Sequence, residues 1–337
     1  MTRMPKKEEN KPKIEDQSVD TALRPTAWDD YIGQDKIKAN LKLIIEATKQ
    51  RKESCDHLLF HGQAGLGKTT LAYIIAKELG ANIKTTSGPA LEKAGDIAAV
   101  LSNLEPYDVI FIDEVHRLNK LIEEILYPAL ESRKMHLIIG KGPSAKTLTI
   151  DLPPFTIIAA TTKVSLLSNP LRSRFGAIFK LDYYSPNDIE KILNRSAKIL
   201  NVGIENEAVK KLAVASRFTP RIANRLLKRA RDYAQVNKQK LIDENTVQQT
   251  LAMFEIDNLG LEETDRRLLE IIIKKFNGGP VGVKTLAASL NEEEATVSEV
   301  YEPFLMSLGF LHRSSLGRIA TSAAYKHLNI REKGELI

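Results

Sequence analysis

The run Gly62-Gln63-Ala64-Gly65-Leu66-Gly67-Lys68-Thr69 carries the G-x-x-x-x-G-K-T spacing of a phosphate-binding loop. Glycines in such a loop let backbone N–H groups turn toward an anion, at the positive end of the helix that follows. Lys68 would bring a point charge to the β- and γ-phosphates, and Thr69 a hydroxyl for Mg²⁺. The apolar run HLLF (57–60) precedes the loop, and Leu71, Ile74, Ile75 and Leu79 follow at helical spacing until Gly80 stops the helix. Strand, loop and helix in that order separate a phosphate site from a plain glycine-rich turn.

Downstream, Val109-Ile110-Phe111-Ile112 ends in Asp113-Glu114. Acids are common where a strand reaches solvent, but behind a complete P-loop the pair reads as a Walker B element. Asp113 would hold magnesium through water, and Glu114 would orient and polarise the attacking water. TIIAATTK (156–163) is another apolar run with a polar end. Thr161 and Thr162 either lie beside the phosphates at the carboxyl end of the sheet or simply cap a strand. Arg172 and Arg174 in NPLRSRFG are surface charges or, in a ring, an arginine finger for a neighbour's nucleotide. Arg221 follows an N-cap Thr219 and an N1 Pro220, where the helix dipole disfavours a cation. A γ-phosphate would offset that cost.

The elements that must position these residues divide the chain in three. Residues 1–20 mix charges with almost no apolar side chains and read as a disordered arm. From 21 to 183, short apolar runs alternate with helical patterns, which argues an α/β domain with helices on both faces of a parallel sheet. Within it, 135–152 reads as a projecting hairpin with a turn at KGPSAK, and Leu148 and Ile150 share one face at period two. That face either packs on its own domain or receives a partner. Residues 184–256 read as a small all-helical domain. Residues 257–330 carry three helical patterns and a strand pair, FLHRS and GRIAT, around a turn at Ser315–Gly317: a winged helix, followed by a tail over 331–337. Asn291 with Glu292, Glu293 and Glu294 reads as an N-cap and acidic first turn, leading into a stripe of Val297, Val300, Phe304 and Leu308. An acidic first turn would repel phosphates, so this helix is not expected to read bases.

Composition bounds the remaining classes. Lys and Arg outnumber Asp and Glu by 49 to 43, which permits a nucleic-acid partner without requiring one. The single cysteine, Cys55, excludes an internal disulfide and a cysteine-built metal cluster, and suits a reducing cytosol. The first residues lack the apolar core of a signal peptide, and no apolar run is long enough to span a bilayer. No membrane association is expected.

With these elements in order, the chain resembles an AAA+ ATPase and, more closely, the RuvB family of bacterial Holliday-junction branch-migration motors. LRP (23–25), DYIGQ (30–34), TTSGPALEKAGD (85–96), FIDEVHRLN (111–119), IIGKGPSAKTLTIDLPPFT (138–156), NPLRSRFG (169–176), TPRIANRLLKRARD (219–232), KFNGGPVGVKTLAASL (275–290) and YEPFLMSLGFLHR (301–313) carry the resemblance. It implies that Leu23, Arg24 and Tyr184 line the nucleotide pocket, with Ile32 beside the base. Gly65, Gly67, Lys68, Thr69 and Thr70 would hold phosphates and metal, and Glu131, Ser132 and Arg133 would add backbone contacts. Arg174 would be the finger acting in trans and Arg221 a second sensor. Arg313 and Arg318 would touch the DNA backbone of four-way junction arms without reading sequence. The hairpin residues Leu148 and Ile150 would dock RuvA, the junction-binding partner, and the resolvase RuvC would join a larger complex around a homo-hexamer. ATP and Mg²⁺ are the implied cofactors.

Some positions depart from the family pattern. Two P-loop prolines are replaced by Gln63 and Ala64, and the arginine after the paired threonines is Lys163, which keeps charge but not the planar fork. Arginine is usual where Glu294 and Leu316 stand, so the presumed DNA face has lost positive charge. Other readings are a clamp loader or replication initiator, a protein-remodelling machine, and a structural subunit without turnover. A zinc module, a base-reading helix or an aromatic pore loop would favour the first two, and none is visible in the sequence. Intact Lys68, Asp113, Glu114, Arg174 and Arg221 argue against the last.

Overall fold

A computed structural model describes residues 19–139 and 146–332. The arm expected over 1–20 falls outside them as far as residue 18, as do the hairpin turn at 140–145 and the tail from 333. Val19 and Asp20 already open a short helix, Val19–Leu23. The chain divides into two compact units, residues 1–199 with 219–224 and residues 200–218 with 225–337.

The first unit holds strands β1 (Leu58–His61), β2 (Ile83–Ser87), β3 (Val109–Asp113), β4 (Lys134–Ile139), β5 (Lys146–Asp151), β6 (Thr156–Thr161) and β7 (Ala177–Lys180). Five of them form one sheet in the order β2-β3-β6-β1-β7, and every pairing is parallel. The three runs read from the sequence are the inner strands. Every residue of β6 is buried, and β3 is buried up to Asp113. This is the near-continuous apolar signature of a sheet covered on both faces. The register pairs Ser87 with Asp113 and His61 with Thr161, so the polar strand ends gather at the carboxyl edge. The outer strands β2 and β7 are only partly buried and were not evident as apolar runs.

Beside the sheet, β4 and β5 pair as an antiparallel hairpin with Leu137 opposite Leu148 and Met135 opposite Ile150. The two readings of the face shared by Leu148 and Ile150 divide along its length. Met135 is fully buried and Ile150 packs against the core of the unit, whereas Leu148 is 44% exposed. The base of the hairpin therefore belongs to its own domain, and only the outer part presents an apolar side chain.

In the second unit, the helices Asn206–Ala215 and Glu244–Met253 are joined by a two-residue parallel ladder, β8 (Gly203–Ile204) with β9 (Leu241–Ile242), inside a region expected to be purely helical. The winged-helix part packs Leu268, Ile272, Leu286, Val297, Leu305 and Phe310 into one core. β10 (Leu311–Arg313) and β11 (Arg318–Ala320) form the expected antiparallel wing. Val281 bridges Arg318 from the other side through reciprocal backbone bonds of 2.8 and 3.0 Å. Gly317 is required at the wing turn: its φ is 145°, and a Cβ there would lie within 2.5 Å of the Val281 carbonyl.

Two readings of this unit are corrected. Asn291 is not an N-cap. It sits in the left-handed region at φ 59° as the C-cap of the helix Val283–Leu290, a position suited to asparagine. Glu293 is the N-cap of the next helix, which opens at Glu294. In the apolar stripe, Val297 and Phe304 are buried but Val300 is 54% exposed, and Leu305 is buried instead. A π-helical turn over Val297–Tyr301 accommodates an extra residue there, which moves the stripe off a regular helical period.

Candidate active site

The P-loop lies between β1 and the helix Lys68–Leu79, whose N-cap is Gly67 at φ 100° and whose C-cap is Gly80. Gly67 allows no side chain, because a Cβ would stand 2.7 Å from the Tyr31 hydroxyl. At Gly65 a Cβ would approach the Arg221 Cβ to 3.0 Å, so the start of the helix Pro220–Val236 lies against the loop. Lys68 is buried, and its ammonium donates to the Gly62 and Gln63 carbonyls at 2.7 and 2.8 Å. Burial pulls its pKa down to about 8, with Arg221 pushing the same way and Asp113 opposing. A cation held by two neutral carbonyls at a helix N-terminus is under-compensated, and a polyanion would complete it. Thr69 and Thr70 are half-buried in the first turn.

Asp113 ends β3, and its Oδ1 accepts the Glu114 N–H at 2.9 Å. Glu114 is exposed and bonded to Arg117 at 3.2 Å. Of the paired threonines, Thr161 is buried. Its hydroxyl accepts the Lys163 N–H and meets His116 Nδ1, both at 2.9 Å. Thr162 is exposed at the strand end.

The pocket-lining residues implied by resemblance fall into a second group. Tyr184 is buried, and its hydroxyl lies 3.1 Å from both the Leu66 carbonyl and the Tyr31 hydroxyl, which itself reaches Leu66 at 3.5 Å. Burial raises both phenols, Tyr184 to about 12. The pair therefore acts on the P-loop backbone. Arg24 lies over the Tyr73 ring at 5.3 Å, Leu23 is buried, and Ile32 is half-buried beside Tyr31. Arg195 donates to the Leu23 carbonyl at 2.9 Å and fixes that segment.

Arg174 makes its contacts away from the loop, with Glu131, the Pro170 carbonyl and the Tyr127 ring. Ser132 bonds back to the Pro128 carbonyl, and Arg133 closes that helix in the left-handed region and reaches Ser54. Sequence reasoning missed Tyr31, His116, Arg117, Tyr127 and Arg195. Tyr31 had a signal in its place in DYIGQ, and His116 and Arg117 had one in FIDEVHRLN.

In the wing, Arg313 is exposed as expected. Arg318 is reassigned. Its guanidinium is buried and makes two bonds to the Glu302 carboxylate, at 2.6 and 3.1 Å, so it is a structural ion pair and not an open phosphate contact. Leu316, at the wing tip, is exposed.

Among the described residues no three His, Cys, Asp or Glu side chains form a metal cage. The donor set at Thr69 and Asp113 instead suits Mg²⁺, which keeps waters and binds through one or two carboxylates plus substrate phosphates. No described helix is long and apolar enough to cross a membrane.

Three family profiles match consecutive parts of the chain: the Holliday junction DNA helicase RuvB P-loop domain over 23–181, the RuvB AAA lid domain over 184–257 and the RuvB C-terminal winged helix domain over 258–329. A Dehalococcoides mccartyi (strain CBDB1) relative, the Holliday junction branch migration complex subunit RuvB, is 52% identical over 316 residues, spanning 94% of this chain and 90% of its own. The solved Thermotoga maritima RuvB Holliday junction branch migration motor is 50% identical, with a TM-score of 0.84 over 92% of this chain and 99% of that one. A mutant of the same motor gives a TM-score of 0.85 at 49% identity over the same shares.

Proposed function

Because this chain belongs to the RuvB family of P-loop AAA+ ATPases that drive branch migration of Holliday junctions, we propose that ATP with Mg²⁺ is its fuel and four-way DNA its track. The observation that carries the reading is Lys68. It is a buried cation on neutral carbonyls, at a helix N-terminus, within electrostatic reach of Asp113 and Arg221. In turnover Lys68 exchanges those carbonyls for phosphate oxygens. Gly65, Gly67, Thr69 and Thr70 present backbone N–H groups and hydroxyls, and Thr69 and Asp113 would hold the metal, which would supply charge neutralisation at the phosphates. Glu114 orients the water, and Arg221 reports on the γ-phosphate from the neighbouring helix. Tyr31 and Tyr184 keep the loop in shape through Leu66.

The working form is a cytoplasmic homo-hexamer in which Arg174 acts on the next subunit's nucleotide, as fingers supplied in trans do. ATPase (21–183), lid (184–256) and winged-helix (257–330) domains divide the labour. The exposed Leu148 gives RuvA an apolar anchor, and RuvC joins a larger assembly. DNA is held by its backbone, with Arg313 as the wing contact, so that any sequence can pass. The experiment is ATP-dependent dissociation of a synthetic four-way junction by the full chain, with and without the junction-binding partner. Dissociation that needs neither ATP nor an intact Lys68 would overturn the reading.

A further inference from the structure

The Arg174 side chain is held in place by more than the finger role requires. Its Nη2 pairs with Glu131 Oε2 at 2.9 Å, its Nη1 donates to the Pro170 carbonyl at 2.7 Å, and its guanidinium lies 4.9 Å from the Tyr127 ring centroid. Its Nε is buried and, among the described residues, has no hydrogen-bond partner. Tyr127 and Glu131 are four residues apart on the helix Lys120–Ser132, so they share one side of it. The Tyr127 ring is fixed in turn. Its hydroxyl donates to Glu123 at 2.9 Å and lies 3.0 Å from the hydroxyl of Ser168, the N-cap of the short helix Asn169–Arg172 that leads to Arg174. The finger, just past the end of one helix, and its counter-ion, on another, are thus held together through Tyr127.

The strengths of these contacts differ. Glu131 is 68% exposed, and an exposed ion pair is worth about 1.4- to 5-fold in an equilibrium constant. A triphosphate carries more charge and offers more acceptor oxygens to the same fork. The ring and the Pro170 carbonyl hold the guanidinium while the carboxylate lets go.

Taking Arg174 as the finger acting in trans, we propose that Glu131 is a counter-ion in cis that parks it, and that Tyr127 is the platform that keeps its plane, so that a neighbour's γ-phosphate must displace Glu131 before the finger acts. Both are positioning residues. Parking holds the finger when no correctly placed phosphate is present, and when one is, displacing Glu131 slows turnover by no more than the worth of an exposed pair.

The test uses the full chain at concentrations where subunits associate, with steady-state ATPase and a melting curve for each variant. Glu131→Gln keeps the shape and removes the charge. Its kcat should rise about two- to fivefold at unchanged KM and melting temperature. Tyr127→Leu should lower kcat at least tenfold at unchanged KM, while Tyr127→Phe, which keeps the ring face, should recover most of it. Should Tyr127→Leu melt early, Glu131→Gln and Tyr127→Phe carry the test alone. Mixed with Lys68→Ala subunits, Tyr127→Leu should recover activity as Arg174→Ala does, which locates its defect on the finger side of an interface. Glu131→Gln with unchanged or lower kcat, beside an inactive Arg174→Ala, overturns the parking and leaves the finger standing. Arg174→Ala with normal kcat overturns the finger reading, and the parking with it.

Discussion

Removing either member of the Arg318–Glu302 pair should destabilise the winged helix. The side chains are 9% and 2% exposed and joined by two bonds. Stranding one partner of such a buried pair costs about 3–5 kcal/mol, or roughly two to four orders of magnitude in the local folding equilibrium. Glu302→Ala leaves a buried guanidinium without its carboxylate, and Arg318→Ala leaves a buried carboxylate without its guanidinium. Replacing both with apolar residues of similar size should restore most of the loss. Hydrogen exchange at the Val281, Arg318 and Ala320 amides, which tie the wing to Gly278 and Val281 beside it, localises the effect in the full chain. If Arg318→Ala leaves these amides protected and abolishes DNA binding, the residue is a phosphate contact after all and the reassignment is wrong.

The same geometry sets other expectations. Arg313→Ala should weaken DNA binding about equally across unrelated sequences and lower the log–log salt slope by roughly one, with wing stability unchanged; loss confined to one sequence would mean base readout. Leu148→Asp should abolish partner binding and leave the intrinsic ATPase intact, whereas Ile150→Asp, on the packed part of the hairpin, should melt early; equal behaviour of the two would contradict their different burial. Since burial holds Lys68 down at about 8, a triphosphate must restore its charged form, so binding should take up a proton and weaken as pH climbs beyond about 8. Calorimetry in two buffers of different ionisation enthalpy reads that proton directly, and identical heats near pH 8.5 would count against it. Glu114→Gln should bind ATP and fail to turn it over, while Lys68→Ala should not bind it tightly; normal hydrolysis in either would sink the site.

The features legible in the sequence are those that a short window contains. The P-loop and the Asp113-Glu114 end of β3 are contiguous, and the inner strands are apolar along their whole length because both faces are covered. The edge strands β2 and β7 lack that cover, and their mixed composition hid them. Contacts between distant residues left no trace in the spacing. Tyr31 and Tyr184 meet across 153 positions, and Thr161 and His116 across 45. Arg318 was misjudged for the same reason: a wing arginine looks exposed until its partner sixteen residues earlier is known to be buried beneath it. The hairpin was half legible, since period two places Leu148 and Ile150 on one face but does not say how far the parent domain reaches along it.

The acidic end of β3 shows how a contiguous motif depends on such distant contacts. In an extended strand, successive side chains point to opposite faces, so Asp113 and Glu114 would be turned apart. Glu114 instead lies in the left-handed region at φ 50°, which breaks the alternation at a cost of about 1–3 kcal/mol for a residue other than glycine. Such a conformation persists only where the surroundings over-determine it, and here both neighbouring strands contribute. Beyond the end of β2, Gly88 packs so closely that a Cβ would lie 2.4 Å from the Glu114 carbonyl, and the Asn119 amide donates to the Glu92 carbonyl at 2.7 Å. At the end of β6, Thr161 holds His116. The Arg117 guanidinium then takes the Glu114 carboxylate itself. Two carboxylates at one strand end are thus kept in different conformations by segments that carry no carboxylate chemistry of their own. The TTSGPALEKAGD segment, which lies outside the nucleotide motifs, helps shape the candidate active site by packing against the acidic strand end.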